Sequence, residues 1–527
     1  MSLYWQWWWI SICINNIQDV RKMDIASKEL VTAGWILVLA YCAVILFFVF
    51  RGAKKTKDIN DYALGNILFS PIAVGLSLAA SMTSAATFII NPGFIAFYGL
   101  SAFLSYGIFL PVAAITSLII LSKKFRHHGK SVKALTMAQW MGTRYQSKGY
   151  SLFFAFLSLL LITFIVLICV GLTKVLSKTL NVDEFTILIG IVVFIFGYMM
   201  FGGANSMVYT NTVQAIIMLA VAFILLGSGY EHFSNGIENF LNKLGSIDPK
   251  LVQTTNDSSF LFRDYFEIII AQMVVGVAIV CQPHIITKSL LLKNDRDVNR
   301  YLVTAAIVQM IFFLVVFTGL YARIEFPNLM INGTPLKLDG VISAYVVKKF
   351  PVFIGLIVVM GLISAGISTL EGLIQSVSTT ITTDIIKPLF ERFLPKDEKE
   401  RSSLLIVINK IVITVVGLVS IFLSYDQLVN PKLSVGIFAQ NGVYAYFSAA
   451  FVPILFGMFF NNVSKTAVIS ASITAIIVHF SFFYGQIKVP FSVATGENPG
   501  VAAAIAIISS VIVGGIVHLV NRRKSNE

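Results

Sequence analysis

Thirteen apolar stretches, each about 20 residues long, leave this chain few ways to fold. They lie at approximately 30–50, 68–90, 98–121, 150–175, 183–203, 206–229, 264–288, 301–323, 352–386, 403–424, 430–458, 464–485 and 499–520. A helix of that length crosses about 30 Å of hydrocarbon. The charge content agrees. Of 527 residues 57% are hydrophobic and only 12% charged, half the roughly 25% charge of a soluble chain. That is too little to cover a soluble surface. The expected fold is an all-α polytopic membrane protein with about thirteen transmembrane helices.

Orientation follows from the basic residues, which collect in cytoplasmic loops. Of the 39 Lys and Arg, 24 fall in alternate loops on one side, and the chain's formal charge is +13. This bias predicts a cytoplasmic C-terminus and an outside N-terminus in the plasma (inner) membrane, which an odd number of spans requires. It also accounts for the basic charge without a nucleic-acid partner. Cys13, Cys42, Cys169 and Cys281 are widely spaced, with neither metal-ligand spacing nor a disulfide framework. Residues 1–29 form an N-terminal extension rich in Trp (Trp5, Trp7, Trp8, Trp9). It has no basic start and no small-residue cleavage site. It is either an interfacial segment or sequence ahead of a true start at Met23. The loops are too short for an appended domain, and 521–527 is a short cytoplasmic tail.

Two spans are not uniformly apolar. The second runs Leu76-Ser77-Leu78-Ala79-Ala80-Ser81-Met82-Thr83-Ser84-Ala85-Ala86-Thr87-Phe88, then Asn91-Pro92-Gly93. Small and hydroxylated residues suit close helix packing. They equally suit an interrupted helix whose freed carbonyls hold a cation and whose restarting N–H groups hold a substrate. In the ninth span Ser364, Ser368, Glu371, Gln375, Ser378 and Thr382 recur at three or four residues and make one polar stripe. Glu371 lies some twenty residues into that span. A carboxylate there belongs to an ion or proton path, or else to a structural polar core or the cytoplasmic interface. Hydroxyls at Ser368 and Thr369 with backbone carbonyls would supply the oxygen ligands a hard cation such as Na⁺ wants. Thr210, Asn211 and Gln214 near the start of the sixth span are interhelical glue or ligands. Lys288 reads as an anchor at the cytoplasmic headgroups, and Lys410 as snorkelling the same way. His284, His479 and His518 are isolated, so structural roles are expected.

Several motifs then occur in order. Asp61-Tyr62-Ala63-Leu64-Gly65 precedes the second span; Ala80 to Pro92-Gly93 occupies it; Gly202-Gly203 with Thr210 and Gln214 opens the sixth. Gln282-Pro283-His284-Ile285-Ile286 ends the seventh, and Ala365 with Ser368-Thr369 lies in the ninth. With these the chain resembles the sodium:solute symporter family from about residue 30 to 485. That family includes proline, pantothenate, sialic acid, monocarboxylate and sugar transporters. The Gln282 motif resembles the proline branch. Leu110-Pro111, Ser122-Lys123-Lys124-Phe125, Arg144-Tyr145-Gln146-Ser147 and Ile247-Asp248-Pro249 are similar to the pantothenate branch.

The resemblance implies a leucine-transporter-like fold with a 5+5 inverted repeat. A peripheral helix (30–50) would be followed by five core helices (68–229), five more inverted (264–458), two C-terminal helices (464–520) and the tail. It implies a Na⁺ site built from backbone carbonyls of Ala80, Thr83 and Ala365 with the hydroxyls of Ser368 and Thr369. It places Ser84, Thr87, Phe88, Ser105 and Tyr106 at the substrate. Two positions depart from the pattern. Asn211 stands where many members have an aspartate, and Glu371 where the sialic acid branch has a serine. The implied exchange moves a negative charge between core helices, so that Glu371 with Asn211 forms a second cation or proton site. The sialic acid branch's substrate arginine has no counterpart near Phe164.

The function expected is Na⁺-coupled symport of a small organic solute (an organic acid, an amino acid or a pantothenate-like compound) by alternating access. Na⁺ would be the coupling ion, the bilayer the surroundings and the monomer the working unit. An inside-negative potential supplies about 2.3 kcal/mol per charge per 100 mV. Proton coupling through Glu371 is the alternative within transport. A sensor that keeps the fold is another, which the short tail disfavours. No Ser/His/Asp, metal or phosphate-loop arrangement points to an enzyme.

Overall fold

The computed structural model describes residues 28–132, 134–292, 294–331, 333–430, 434–460 and 462–526. Each expected span has a helical counterpart there. Ten are single helices long and apolar enough to cross a membrane. They are α1 (Val31–Ala53), α3 (Leu100–Arg126), α4 (Lys148–Leu180), α6 (Gly203–Gly227), α8 (Val298–Glu325), α9 (Val352–Leu389), α10 (Glu398–Val429), α11 (Val435–Phe459), α12 (Lys465–Gly485) and α13 (Pro499–Arg523). Between α4 and α6 lies the shorter apolar helix α5 (Glu184–Met199). The remaining two are bent: α2 as Pro71–Met82 plus Ala86–Tyr98, and α7 as Phe266–Ile279 plus Pro283–Leu291, with angles of 57° and 58°. Their halves are called α2a, α2b, α7a and α7b below. The expected N-terminal extension, with the choice between Met1 and Met23, lies outside the described residues except for Lys28 and Glu29. The helix of α13 runs on to Asn526, so the tail is helical as far as it is described. Asn521 Nδ2 donates to Ser464 Oγ at 2.7 Å and ties it to the start of α12.

Both breaks have local causes. Pro71 at the first position of α2a and the Ser70 hydroxyl, which accepts from Ala73 N, start that helix. Thr83 then turns extended (φ −98, ψ 104) and stops it. In α7 the stop is proline's. Gln282 is extended (φ −67, ψ 136) ahead of Pro283, as the proline ring demands of its predecessor. The two broken helices stand five spans apart.

The halves pack against different neighbours. α2a lies against α6, α8 and α9, while α2b leans on α8 and on the segment 338–349 between α8 and α9. A Cβ on Gly319 of α8 would sit 2.1 Å from the Pro92 carbonyl oxygen, and one on Gly93 2.1 Å from that of Leu338. Backbone meets backbone there with no flexible side chain to give way. Gly319→Ala is expected to cost about 1–3 kcal/mol, read as a lower melting temperature. An unchanged melt would mean that α2b is not held at this contact.

Candidate functional site

The polar stripe of α9 finds a different partner at almost every turn. Ser364 Oγ donates to the Tyr41 hydroxyl on α1 at 3.2 Å. Gln375 Nε2 donates to the carbonyls of Tyr62 and Ala63 at 2.8 and 2.7 Å. Thr382 Oγ1 donates to Asn409 Oδ1 at 3.1 Å. Between these, where α2 breaks, Ser368 Oγ donates to Ala80 O at 2.8 Å and Thr369 Oγ1 to Thr83 O at 3.2 Å. The Ala365 carbonyl lies 3.2 and 3.4 Å from the same two hydroxyls. Thr369 Oγ1 also donates to Ser81 O at 3.1 Å, so the three expected carbonyls and the two hydroxyls converge beside a fourth carbonyl, all on wholly buried residues. Interruption of α2a is what frees its last carbonyls. The Thr83 hydroxyl accepts from Gln309 Nε2 of α8 at 2.7 Å, which leaves the Thr83 carbonyl to face α9. The donors here are neutral carbonyl and hydroxyl oxygens, the kind that suits a hard cation.

One turn along α9, Glu371 is also wholly buried. It accepts from the Tyr198 hydroxyl at 2.5 Å and from Thr210 Oγ1 at 2.7 Å. Asn211 reaches the same carboxylate: oriented so that all its neighbours are satisfied, its Nδ2 donates to Glu371 Oε2 and to Gln214 Oε1, each at 2.9 Å. The two positions that depart from the family pattern thus touch.

Lys288 corrects an expectation. It is buried rather than at the headgroups, and its ammonium donates to Ser77 O, Ser77 Oγ and Ser81 Oγ on α2a at 2.9, 2.8 and 2.5 Å. A hydropathy pattern places a lysine at the end of an apolar stretch but not on which side of the helix. The bend before Pro283 turns α7b inward, and Lys288 with it. Lys410, by contrast, is half-buried with its ammonium over the Phe201 ring at 4.5 Å.

A cavity beside the α2 break is lined by Ser84, Thr87, Asn91, Tyr106, Gln282, His284, Gln440 and Tyr444, with Phe164 and several aliphatic side chains. Of the five residues expected at the substrate, Ser84, Thr87 and Tyr106 are in this wall. Phe88 packs edge-on against Phe312 instead, and Ser105 is buried outside the lining. Gln282, His284 and Gln440 join the wall although nothing singled them out as solute contacts. The bend before Pro283 was the available signal for the first two. His284 lines a second cavity as well, with Thr136, Lys288, Gln375 and Thr379, on the side of the basic loops. It is shared by the two linings, whereas the His479 ring is held by Asn441 at 3.0 Å.

The short motifs form one joint. Gly203, at φ +72, starts α6 against the Tyr62 backbone, which a Cβ there would approach to 2.9 Å. Asn205 Oδ1 accepts from the N–H groups of Asn66 and Ile67 at 3.0 and 3.2 Å, and Gln375 holds Tyr62 and Ala63 from the other side.

The chain is 28% identical over 456 residues to the sodium/pantothenate symporter of Haemophilus influenzae, covering 82% of this chain and 87% of that one. It is 27% identical to the sodium/pantothenate symporter of Escherichia coli, with 84% and 89% covered. Against the osmoregulated proline transporter of Bacillus subtilis identity is 22%, over 92% and 94%. In three dimensions it is similar to a Na⁺-coupled sialic acid symporter in its substrate-bound outward-open state, with a TM-score of 0.74 at 18% identity, over 92% of this chain and 98% of that one. That likeness establishes a leucine-transporter-like fold. The sequence profile of the sodium:solute symporter family matches residues 62–475. The chain belongs to the sodium:solute symporter family and is a membrane transporter, not an enzyme.

Proposed function

We propose that this chain imports a small organic solute with Na⁺, and that the transported cation binds Ala80 O, Thr83 O, Ala365 O, Ser368 Oγ and Thr369 Oγ1. The convergence of those five oxygens at the α2 break carries the reading. Oxygen ligands at about 2.3–2.6 Å from a hard cation stand about 3 Å from one another, which matches the observed 2.8–3.4 Å separations. The hydroxyl protons can rotate away and present lone pairs. A cation there joins α2 of one repeat to α9 of the other, so its binding favours one arrangement of the two. The solute binds in the adjoining cavity.

The chemistry of that wall limits the solute. It offers hydroxyls, amides and one imidazole, and among the lining residues there is no Lys or Arg. A solute carboxylate would therefore meet the opening of α2b, where the Ala86 and Thr87 N–H groups donate to Ser84 Oγ and Ser84 O at 3.1 and 3.0 Å and would exchange those bonds for the carboxylate. Polar groups elsewhere on the solute would meet Gln282, Gln440 and Tyr106. A hydroxylated or amide-bearing organic acid of the pantothenate kind fits best, with an amino acid such as proline next. Both proposed sites lie within one chain, which supports the monomer as working unit, and the excess of Lys and Arg in alternate loops supports a cytoplasmic C-terminus in a plasma (inner) membrane.

The test is uptake of labelled pantothenate and proline into proteoliposomes, with an inward Na⁺ gradient or with K⁺ replacing Na⁺. Uptake driven only by the Na⁺ gradient supports the reading; uptake indifferent to Na⁺ removes it. The buried carboxylate of Glu371 favours one competing reading, proton coupling, which uptake driven by a pH gradient without Na⁺ would establish instead.

The contact between Asn211 and Glu371 makes the implied charge exchange testable. Glu371→Ser is expected to lower Na⁺-driven uptake at least about tenfold, a loss of roughly 1.4 kcal/mol or more. Asn211→Asp/Glu371→Ser is expected to recover most of it, because Asn211 Oδ1 lies 3.1 Å from the Lys288 ammonium. Failure of the double variant to improve on Glu371→Ser would separate the two positions.

A further inference from the structure

Lys288 sits inside a set of cation ligands. Around its Nζ are Ser77 O at 2.9 Å, Ser77 Oγ at 2.8 Å and Ser81 Oγ at 2.5 Å. Asn211 Oδ1 follows at 3.1 Å in the amide orientation that satisfies every neighbour. One carbonyl, two hydroxyls and one amide oxygen are neutral oxygen donors of the kind that hold a hard cation. A lysine placed simply to neutralise Glu371 would bond the carboxylate directly. Here Asn211 stands between them, its oxygen toward the ammonium and its nitrogen toward Glu371 Oε2 at 2.9 Å. The carboxylate's other contacts, Tyr198 and Thr210, are neutral. Ser77 and Ser81 belong to the same end of α2a as Ala80 and Thr83, so the ammonium and the five-oxygen cluster share one stretch of helix.

We propose that the Lys288 ammonium is a tethered cation filling a second alkali-ion position. Glu371 supplies the counter-charge that position needs, and Lys288 takes it permanently. One Na⁺ then travels per cycle, through the five-oxygen site alone. This rests on the reading given above for that first site. Its distinct consequence is that removing the tether opens a place for Na⁺ lined by Ser77, Ser81 and Asn211, with Glu371 behind it.

The test counts ²²Na⁺ bound at saturation per chain of the purified, full-length protein. Wild type is expected to bind one, Ser368→Ala/Thr369→Ala none, and Lys288→Ala two. The second ion of Lys288→Ala should be lost again in Lys288→Ala/Glu371→Gln. One ion in wild type and one in a folded Lys288→Ala overturns the tether while leaving the first site standing, as does a wild-type count of two. No ion in wild type but one in Lys288→Ala keeps the tether and removes the five-oxygen site. None in either removes both. Should Lys288→Ala aggregate, the wild-type count decides: one supports the tether and two excludes it.

Discussion

Purified Ser368→Ala/Thr369→Ala is expected to melt at the same temperature in NaCl and in KCl, whereas the wild type melts higher in NaCl. A ligand of the native state at 100 times its Kd adds about 2.7 kcal/mol of apparent stability. The two hydroxyls are the side-chain ligands among the five oxygens, so removing both should erase nearly all of that increment. The substitutions have a second effect. They strip the buried carbonyls of Ala80 and Thr83 of their donors, at about 1–3 kcal/mol for each group left unsatisfied. The variant therefore melts lower in both salts, and only the difference between salts reports the ion. A Na⁺-specific shift that survives in the variant would falsify the assignment. Na⁺-driven uptake should fall in parallel to the level seen without a gradient.

Most of the spans were legible because a bilayer imposes one rule, enough consecutive apolar residues to cross it, which ten single helices and the two bent pairs meet, while α5 (Glu184–Met199) is shorter. The stripe on α9 was legible because Ser364 through Thr382 keep a helical period, which fixes a face without any knowledge of its neighbours. The break in α2 left its mark in small and hydroxylated residues. Lys288 was not legible. Its partner Ser81 is 207 positions away, and nothing local distinguishes a lysine turned inward by the Pro283 bend from one turned to the headgroups. Tyr198 and Thr210 were hidden similarly, since each becomes a ligand of Glu371 only when α5 and α6 meet α9. The solute wall is the least local of all. The cavity lining draws on α2, α3, α4, α7, α8 and α11; of the residues named from family position Ser84, Thr87 and Tyr106 line it, beside Gln282, His284 and Gln440, which were not named as solute contacts. Those three depend on how the second broken helix and α11 face the first.

Neutralising either Lys288 or Glu371 alone is expected to destabilise the protein far more than neutralising both. A buried charge left without its counter-charge costs about 3–5 kcal/mol, whereas replacing both members of a buried pair is often nearly neutral. Lys288→Met and Glu371→Gln should each lose about 3 kcal/mol by that reasoning. Lys288→Met/Glu371→Gln should lie within about 1–2 kcal/mol of wild type, a coupling of about 4–5 kcal/mol, above the roughly 0.5–3 kcal/mol usual within one network. Asn211 transmits that coupling, because its amide is bonded on one side to each charge. Asn211→Leu, which lacks both bonds, should resemble the single neutralisations. The melts belong in choline chloride, since Na⁺ entering the place vacated in Lys288→Met would supply the missing charge and mask the loss. Losses that simply add in the double variant would mean that Lys288 and Glu371 are stabilised independently, each by its own oxygens and hydroxyls. A deficit in Lys288→Met that Na⁺ repairs, beside one in Glu371→Gln that Na⁺ leaves untouched, is the asymmetry expected when one member of the pair stands in for an ion and the other attracts it.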